Sequence, residues 1–117
     1  SSCSSYPRPP SKSLSRMSIA LTNAQNRFLR GQAHGLKAML QIGAKGLTDA
    51  VIAEVAAALE HHELIKVKVR GAEPGPRDAM LERLAADTDS ALVTRIGHVA
   101  VFYKPRAGNP KIVIPDA

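Results

Sequence analysis

Apolar residues recur along the chain with two spacings, and these spacings predict its elements. Three segments place apolar side chains three or four residues apart, which is typical of one face of a helix. Four other segments alternate apolar and polar side chains or are short and rich in β-branched residues, as strands are. The predicted helices cover residues 23–33, 49–62 and 77–86, and the predicted strands cover residues 36–42, 64–70, 91–96 and 98–103.

Capping residues and strand alternation indicate where these elements begin and which side chains they bury. Thr22 and Gln25 have the spacing of a capping box at the first helix, and Thr48 is placed to cap the second. Alternation in the first two strands predicts one inward row in each and an outward row of basic side chains in the second. The inward rows are Leu36, Ala38, Leu40 and Ile42 and then Ile65, Val67 and Val69, and the outward row is Lys66, Lys68 and Arg70.

The order of elements, α-β-α-β-α-β-β, limits the topology. Short connections on either side of the second helix imply two parallel strands joined by a right-handed crossover. Gly97 separates the last two strands and favours a tight antiparallel hairpin. We therefore predict an α/β (α+β) fold in which a four-stranded mixed sheet is packed with helices.

The composition changes near Met17, where the predicted fold begins. Eight of the nine Ser residues lie within residues 1–18, and residues 1–17 contain no acidic side chain. Such a stretch buries too little apolar surface to offset its ordering entropy, so we predict a flexible basic tail over residues 1–17. We interpret it as an upstream extension before Met17, with a targeting peptide as the alternative. The folded domain is expected over residues 18–112, followed by a short tail over residues 113–117.

Composition excludes several classes of site and favours a polyanionic partner. Only 3% of residues are aromatic, too few for an aromatic cage or a base-stacking sheet. Lys and Arg total 16 against 10 Asp and Glu, and the net charge of +6 favours nucleic acid, the ribosome or an acidic membrane surface.

The single cysteine, Cys3, cannot form an intrachain disulfide and fits a reducing, cytoplasmic compartment. No apolar run approaches the roughly 20 residues of a membrane span.

The sequence Gly43-Ala44-Lys45-Gly46 lies between the first predicted strand and the second helix. Glycines allow a sharp turn and a close approach of the backbone to a phosphate, and the amide groups at a helix start attract anions. A GxxG loop of this kind clamps the nucleotide backbone in KH domains. Two glycines at this spacing also occur in plain turns. The rest of a Walker sequence is absent, so nucleotide hydrolysis is not predicted.

Basic side chains add to the anion-binding interpretation. Lys66, Lys68 and Arg70 share one strand face, expected on the open side of the sheet, with no acid between them. Neighbouring like charges repel one another unless an anion is bound. Solvation of a wet surface is the alternative. The other basic candidates are outward-facing Lys37 in the first strand and Arg27, Arg30 and His34, which share one helix face.

The segment Glu60-His61-His62-Glu63 resembles a metal-ligand cluster, so a small metal-dependent enzyme is one alternative. Adjacent positions on a helix point about 100° apart, which makes it difficult for the two imidazoles to share an ion. The HExxH spacing of helical zinc sites is absent, and no nucleophile is paired with a base in the predicted domain. We therefore predict no catalytic residue, no metal site and no cofactor.

Several of these motifs occur together, and in the same order, in one known family. They are Leu21-Thr22, Arg27-x-Leu29-Arg30, Gln41-Ile42-Gly43-x-Lys45-Gly46-Leu47-Thr48, Glu60-His61-His62-Glu63-Leu64-Ile65-Lys66-Val67-Lys68, Ile96-Gly97, Val101-Phe102-Tyr103 and Asn109-Pro110-Lys111-Ile112. Over about residues 19–112 the chain thereby resembles the CRM domain (chloroplast RNA splicing and ribosome maturation) in its stand-alone bacterial form. The family's fold has the element order predicted above and is similar to the C-terminal domain of bacterial initiation factor three.

The resemblance implies an RNA-binding protein that associates with precursors of the large ribosomal subunit. Related plant domains bind group II introns. A DNA- or protein-binding module that uses the same basic face is the alternative, and we expect a monomer. The expected RNA contacts are Gly43, Ala44, Lys45 and Gly46 in the loop and Arg27, Arg30, Lys37, Lys66, Lys68 and Arg70 on the basic surface.

Two features depart from the family pattern. Ala44 stands where a basic or polar residue is frequent, which weakens phosphate contact but keeps the glycine geometry. The segment of residues 71–76 is unusually rich in Pro and is expected to alter a loop without changing the sheet.

Overall fold

The computed structural model describes residues 21–70, 74–106 and 110–114, and the predicted tail over residues 1–17 lies outside them. Seven elements follow one another in the predicted order and confirm the predicted fold class. No described helix has the length and apolar character needed to cross a membrane. The elements are α1 (Asn23–His34), β1 (Leu40–Ile42), α2 (Asp49–His61), β2 (Leu64–Val69), α3 (Pro74–Asp87), β3 (Ala91–Ile96) and β4 (Val99–Tyr103).

The four strands form one mixed sheet in the order β1-β2-β4-β3. β1 and β2 run parallel, with Leu40 opposite Val67. β4 is antiparallel to both of its neighbours, β2 and β3. The parallel pair is the one connected by α2, as the short connections predict.

Both predicted helix caps are present. Thr22 Oγ1 accepts a hydrogen bond from Gln25 N–H at 3.1 Å, and Gln25 Oε1 accepts one from Thr22 N–H at 3.2 Å. Thr48 Oγ1 accepts from Val51 N–H at 3.2 Å. The first turn of a helix leaves such N–H groups without a backbone partner. The capping side chains therefore determine where α1 and α2 begin.

Helices cover both faces of the sheet. The larger core lies beneath α2 and α3 and includes Ile65 and Phe102. A smaller core lies beneath α1 on the other face and includes Leu29 and Val101. Lys66 is directly opposite Val101, so its side chain lies on the face that α1 partly covers. The prediction of an open face around this lysine is therefore wrong. α1 packs its apolar side chains against this face, because they must be buried as well.

The first strand is shorter than predicted, because residues 36–39 leave α1 in a turn. Leu36 N–H donates to Ala33 O at 2.8 Å, and the Lys66 ammonium donates to Leu36 O at 2.9 Å. Ladder bonding begins only at Met39, whose N–H donates to Lys66 O at 3.1 Å. Leu36 and Met39 are 37% and 41% exposed. The predicted inward position of Leu36 is therefore wrong.

α3 begins at Pro74, three residues before the predicted start at Arg77. Proline has no N–H group, and the N–H groups of a first helical turn have no intrahelical partner. Prolines at this position therefore remove no helix hydrogen bond. The Pro-Gly-Pro sequence, which predicts a loop, forms the first turn of the helix instead.

A β-bulge in β3 decides which of its side chains face α3. The register shifts between Leu92 and Thr94, and the extra residue, Val93, is buried. A bulge of this kind advances the alternation of the strand by one residue. Beyond it, Arg95 faces α3 and its guanidinium pairs with Asp78.

Glu63 attaches the irregular chain after β4 to the sheet. Its side chain is buried, and its carboxylate accepts hydrogen bonds from the N–H groups of Lys111 and Ile112. Bonds from N–H groups to a charged acceptor are stronger than neutral ones. Ile112 and Ile114 pack against the smaller core, so the attached segment reaches into the predicted tail over residues 113–117.

Tyr103 makes the stability of this fold sensitive to high pH. Burial, together with the negative charge of Glu63, raises the pKa of the Tyr103 phenol. The folded protein then holds the phenol proton more tightly than the unfolded chain does. This contribution to stability is complete below the unfolded value of about 10 and is lost as pH rises through it towards the folded pKa. We expect the free energy of unfolding, measured by urea titration, to fall more steeply above about pH 10 in the wild type than in Tyr103→Phe.

The Tyr103→Phe variant differs from the parent by one hydroxyl group, so every other contribution to the pH dependence is common to both proteins. Parallel falls of the two unfolding free energies with pH would show that the Tyr103 phenol contributes nothing.

Candidate nucleic-acid interface

Three parts of the chain meet at one edge of the sheet. Because β1 and β2 are parallel, the Gly43–Gly46 loop after β1 and Arg70 after β2 lie at the same edge. Arg70 N–H donates to Ile42 O at 2.8 Å. Val69 N–H donates to His98 O at 2.7 Å, which brings the β3–β4 turn to this edge as well. We call the edge formed by Gly43–Gly46, Arg70 and His98 the loop edge.

The GxxG loop is a tight turn with an accessible outer side. Gly46 N–H donates to Gly43 O at 3.0 Å, and Gly46 has a φ of +81°, which residues with a Cβ rarely adopt. A Cβ added at Gly43 would meet no atom within 4 Å. Ala44 and Lys45 are exposed at the tip. The backbone around Gly43 is therefore open to close approach by a ligand.

A cleft of about 310 Å³ lies beside the loop and is lined by Lys68, Val69, Arg70 and His98. Lys68 and Arg70 are exposed. The Arg77 Nη1 group of α3 donates to His98 Nδ1 at 3.0 Å, which fixes the imidazole at the rim. The lining holds two permanent cations and no acid, so the electrostatic character of the cleft suits an anion.

A second groove, which we call the α1 groove, lies where α1 passes the end of β3. It has a volume of about 390 Å³ and is lined by Arg27, Arg30, Gly31, His34 and Ile96. This confirms that the three basic side chains share one helix face. Ile96 is the last residue of β3 and is followed directly by the β3–β4 turn, so the groove lies at the end of β3 that is nearer the loop edge. Three strand spacings of about 4.8 Å lie between β1 and β3 in the sheet. The end of β3 at this groove is therefore about 14 Å from the end of β1, where the GxxG loop begins.

Two of the predicted contacts lie away from the loop edge. Lys66 is half-buried, and its ammonium is bonded to Leu36 O at 2.9 Å. It therefore holds the connection between α1 and β1 in place. Lys37 is exposed in that connection, outside any strand. Of the three basic residues in the predicted second strand, Lys68 and Arg70 are the ones placed beside the loop.

The charge of the molecule is divided between its two sides. The described residues 21–48 contain four Lys and Arg and no acid, whereas the described residues from 49 onwards contain nine Lys and Arg and eight acids. Within the described chain, α1 and the loop belong to the first part. The exposed acids of the helices on the opposite face include Asp49, Glu54, Glu60, Glu82 and Asp87. A polyanion is therefore attracted to the α1 side of the loop edge and repelled from the outer side of α2 and α3.

Arg77, Ile96 and His98 lie at this surface although no pattern in the sequence predicts them there. The residue that marks the β3–β4 turn in the sequence is Gly97, and its φ of +58° ends β3 in the structure. The proximity of His98 to Arg70 depends on the antiparallel pairing of β4 with β2, which no local pattern specifies.

The rings of His61 and His62 are both exposed, 6.5 Å apart and inclined at 57°. His62 ends α2 as its C-cap, and its N–H donates to Ala58 O at 2.6 Å. Within residues 21–70, 77–106 and 110–114, no three His, Cys, Asp or Glu side chains are grouped closely enough to hold a metal ion.

Comparison with known proteins gives consistent matches over most of the chain. Residues 21–104 match the CRS1 / YhbY (CRM) domain. The chain is 42% identical over 95 residues to a Haemophilus influenzae protein named RNA-binding protein, covering 81% of this chain and 95% of that one. It is 40% identical over 95 residues to a Bacillus subtilis protein named a probable RNA-binding protein, covering 81% and 99%. The solution structure of a Staphylococcus aureus protein superposes with a TM-score of 0.73 at 35% identity, covering 82% and 100%.

The two glycines of the loop differ in what they require, and this difference is testable. We expect Gly46→Ala to lower the free energy of unfolding by about 1 kcal/mol, because a Cβ is strained at its φ of +81°. Gly43→Ala is the matched control and should stay within about 0.5 kcal/mol of the wild type. Urea unfolding of the three proteins measures both effects. Equal stabilities of the two variants would contradict the left-handed conformation of Gly46.

Proposed function

Because the chain belongs to the CRS1 / YhbY (CRM) domain family, we propose that it binds RNA through the loop edge. The names of its relatives in Haemophilus influenzae and Bacillus subtilis support an RNA partner. The observation that carries the proposal is the convergence of the Gly43–Gly46 loop with Lys68 and Arg70 at one edge of the sheet. A flexible, negatively charged strand laid along that edge would contact all of them.

The two parts of the interface contribute through different physical effects. The open backbone beside Gly43 lets a phosphate approach without meeting a Cβ, while Lys45 supplies a mobile charge at the tip. Lys68 and Arg70 neutralise neighbouring phosphates from the cleft. Contacts of this type position an RNA chain without reading its bases. Affinity should therefore depend on salt more than on sequence.

We further propose that the RNA is ribosomal and that the protein acts on precursors of the large subunit. The support is the resemblance of the motifs to the stand-alone bacterial CRM domain. In this function the chain is a cytoplasmic monomer that works without a cofactor or a catalytic residue. The partner should be a structured RNA that exposes an unpaired or distorted backbone to the loop edge.

Sucrose-gradient sedimentation of cell lysates tests the ribosomal part of the proposal. We expect the protein to sediment with precursors of the large subunit, and ultraviolet crosslinking should recover their RNA. If the purified protein binds RNA but stays at the top of the gradient and crosslinks to other transcripts, the ribosomal role is refuted while RNA binding stands.

Competition between RNA and duplex DNA at fixed salt tests the DNA-binding alternative. We expect the protein to favour RNA, and the reverse order would favour that alternative.

Two variants of Gly46 test the loop, because both strain the backbone in the same way and differ in charge. Gly46→Ala and Gly46→Asp both place a Cβ at a φ of +81°, 3.8 Å from Met80 Sδ, but only the second adds a negative charge to the loop, which repels a phosphate. We expect Gly46→Asp to abolish binding of a single-stranded RNA oligonucleotide in fluorescence anisotropy and Gly46→Ala to retain measurable affinity. Circular dichroism checks that both are folded. Equal affinities of the two folded variants would exclude the loop as a phosphate contact.

Lys68 is tested through the dependence of affinity on salt. If about four phosphates are neutralised, the slope of log affinity against log salt should be near −3 for single-stranded RNA. Lys68→Ala should make this slope shallower by about 0.7, because it removes one phosphate contact. Lys111→Ala is the matched control. It removes an exposed lysine whose backbone N–H, not its side chain, is bonded to Glu63, far from the loop edge. An unchanged slope in Lys68→Ala would show that this lysine is only solvated.

A further inference from the structure

The α1 groove contains a glycine that the fold does not require. Gly31 lies inside α1, where glycine is less stable than alanine because it loses more backbone entropy on folding. Its φ is not in the left-handed region, and a Cβ added there would meet no atom within 4 Å. The packing around Gly31 therefore leaves room for a side chain and does not explain why this residue is glycine. A methyl group at this position would project into the groove.

The other lining residues give the groove a distinctive chemistry. Arg27, Arg30 and His34 supply hydrogen-bond donors, and the lining contains no acid. Within the described chain neither arginine makes an ion pair, so both guanidinium groups are available to a ligand. Opposite them, Ile96 leaves 48% of its surface exposed at the end of β3. The groove thus combines cationic planes, an aliphatic surface and space kept open at Gly31.

An unpaired nucleotide matches this combination. Arginine guanidinium planes stack on unpaired bases, and aliphatic side chains cover the opposite face of an extruded base. The remaining donors can bind the phosphate of the same nucleotide. A paired base has both faces covered by its neighbours in the stack, so a duplex offers the groove only phosphates.

We propose that the α1 groove binds one unpaired nucleotide of RNA, with its base between Ile96 and an arginine plane and its phosphate on the other cations. This site is distinct from the GxxG loop, since the ends of β1 and β3 are separated by about 14 Å. The proposal rests on the proposed RNA-binding function and adds a preference for single-stranded over duplex RNA. The loop then holds the backbone while the groove captures a base further along the strand.

Gly31→Ala tests the site because stability and binding should change in opposite directions. We expect its thermal midpoint to rise, as alanine favours the helix, while affinity for a single-stranded RNA oligonucleotide falls by about tenfold, the loss of one stacked base. Gly35→Ala is the matched control. It changes the next glycine in the sequence, which also meets no atom within 4 Å and which does not line the groove. Its affinity should equal that of the wild type.

Ile96→Ser tests the aliphatic surface, with Val113→Ser as a control that removes an even more exposed aliphatic side chain elsewhere. We expect Ile96→Ser to weaken binding of the single-stranded oligonucleotide by about tenfold and to leave the affinity for a blunt duplex RNA unchanged. A loss of similar size on both RNAs would overturn the assignment of an unpaired base.

The wild type and Gly46→Asp separate failure of this proposal from failure of the proposed function. If the wild type binds neither RNA, the proposed function itself is wrong. If the wild type binds and Gly46→Asp does not, while Gly31→Ala and Ile96→Ser bind as the wild type does, the loop function stands and the groove is not a nucleotide site.

Discussion

Parallel pairing of β1 with β2 is the constraint on which the position of the loop and its neighbours depends. Because both strands point the same way, the chain returns through α2, and the residues that follow each strand emerge at one edge. The bond from Arg70 N–H to Ile42 O closes that edge. β4 then pairs antiparallel with β2 and brings His98 to the same place. A slip of one residue in this register would turn Lys68 towards the larger core.

The sheet also separates the charges of the molecule, because different parts of the chain cover its two faces. α1 belongs to a stretch of 48 residues without an acid, whereas α2 and α3 carry exposed carboxylates. The net charge of the chain is therefore a poor measure of the local potential. The potential is more positive than the net charge suggests on the α1 side, and the other side repels a polyanion. A polyanion that reaches the loop edge is oriented by this difference before any specific contact forms. Buried Glu63 has a structural role instead, as the acceptor that holds the segment after β4.

Lysines that look equivalent in the sequence have different roles in the folded protein. Lys66 and Lys68 both point away from the larger core, as alternation requires. Lys66 lies where α1 covers the sheet, so its ammonium binds Leu36 O. Lys68 lies two residues nearer the loop edge, where the sheet is uncovered. The division follows from where the helix ends, and charge alone does not distinguish the two.

Features that depend on residues close together in the chain could be predicted from the sequence. Hydrogen bonds between side chain and backbone three positions apart set the helix starts at Thr22 and Thr48, and alternation set the buried row of β2. The GxxG loop was likewise visible as a local pattern. The exit of Leu36 from the sheet and the bulge that turns Arg95 towards α3 depend instead on tertiary contacts. The α1 groove likewise forms through tertiary contacts, because strand pairing and helix packing join residues far apart in the chain, and their register depends on the whole core.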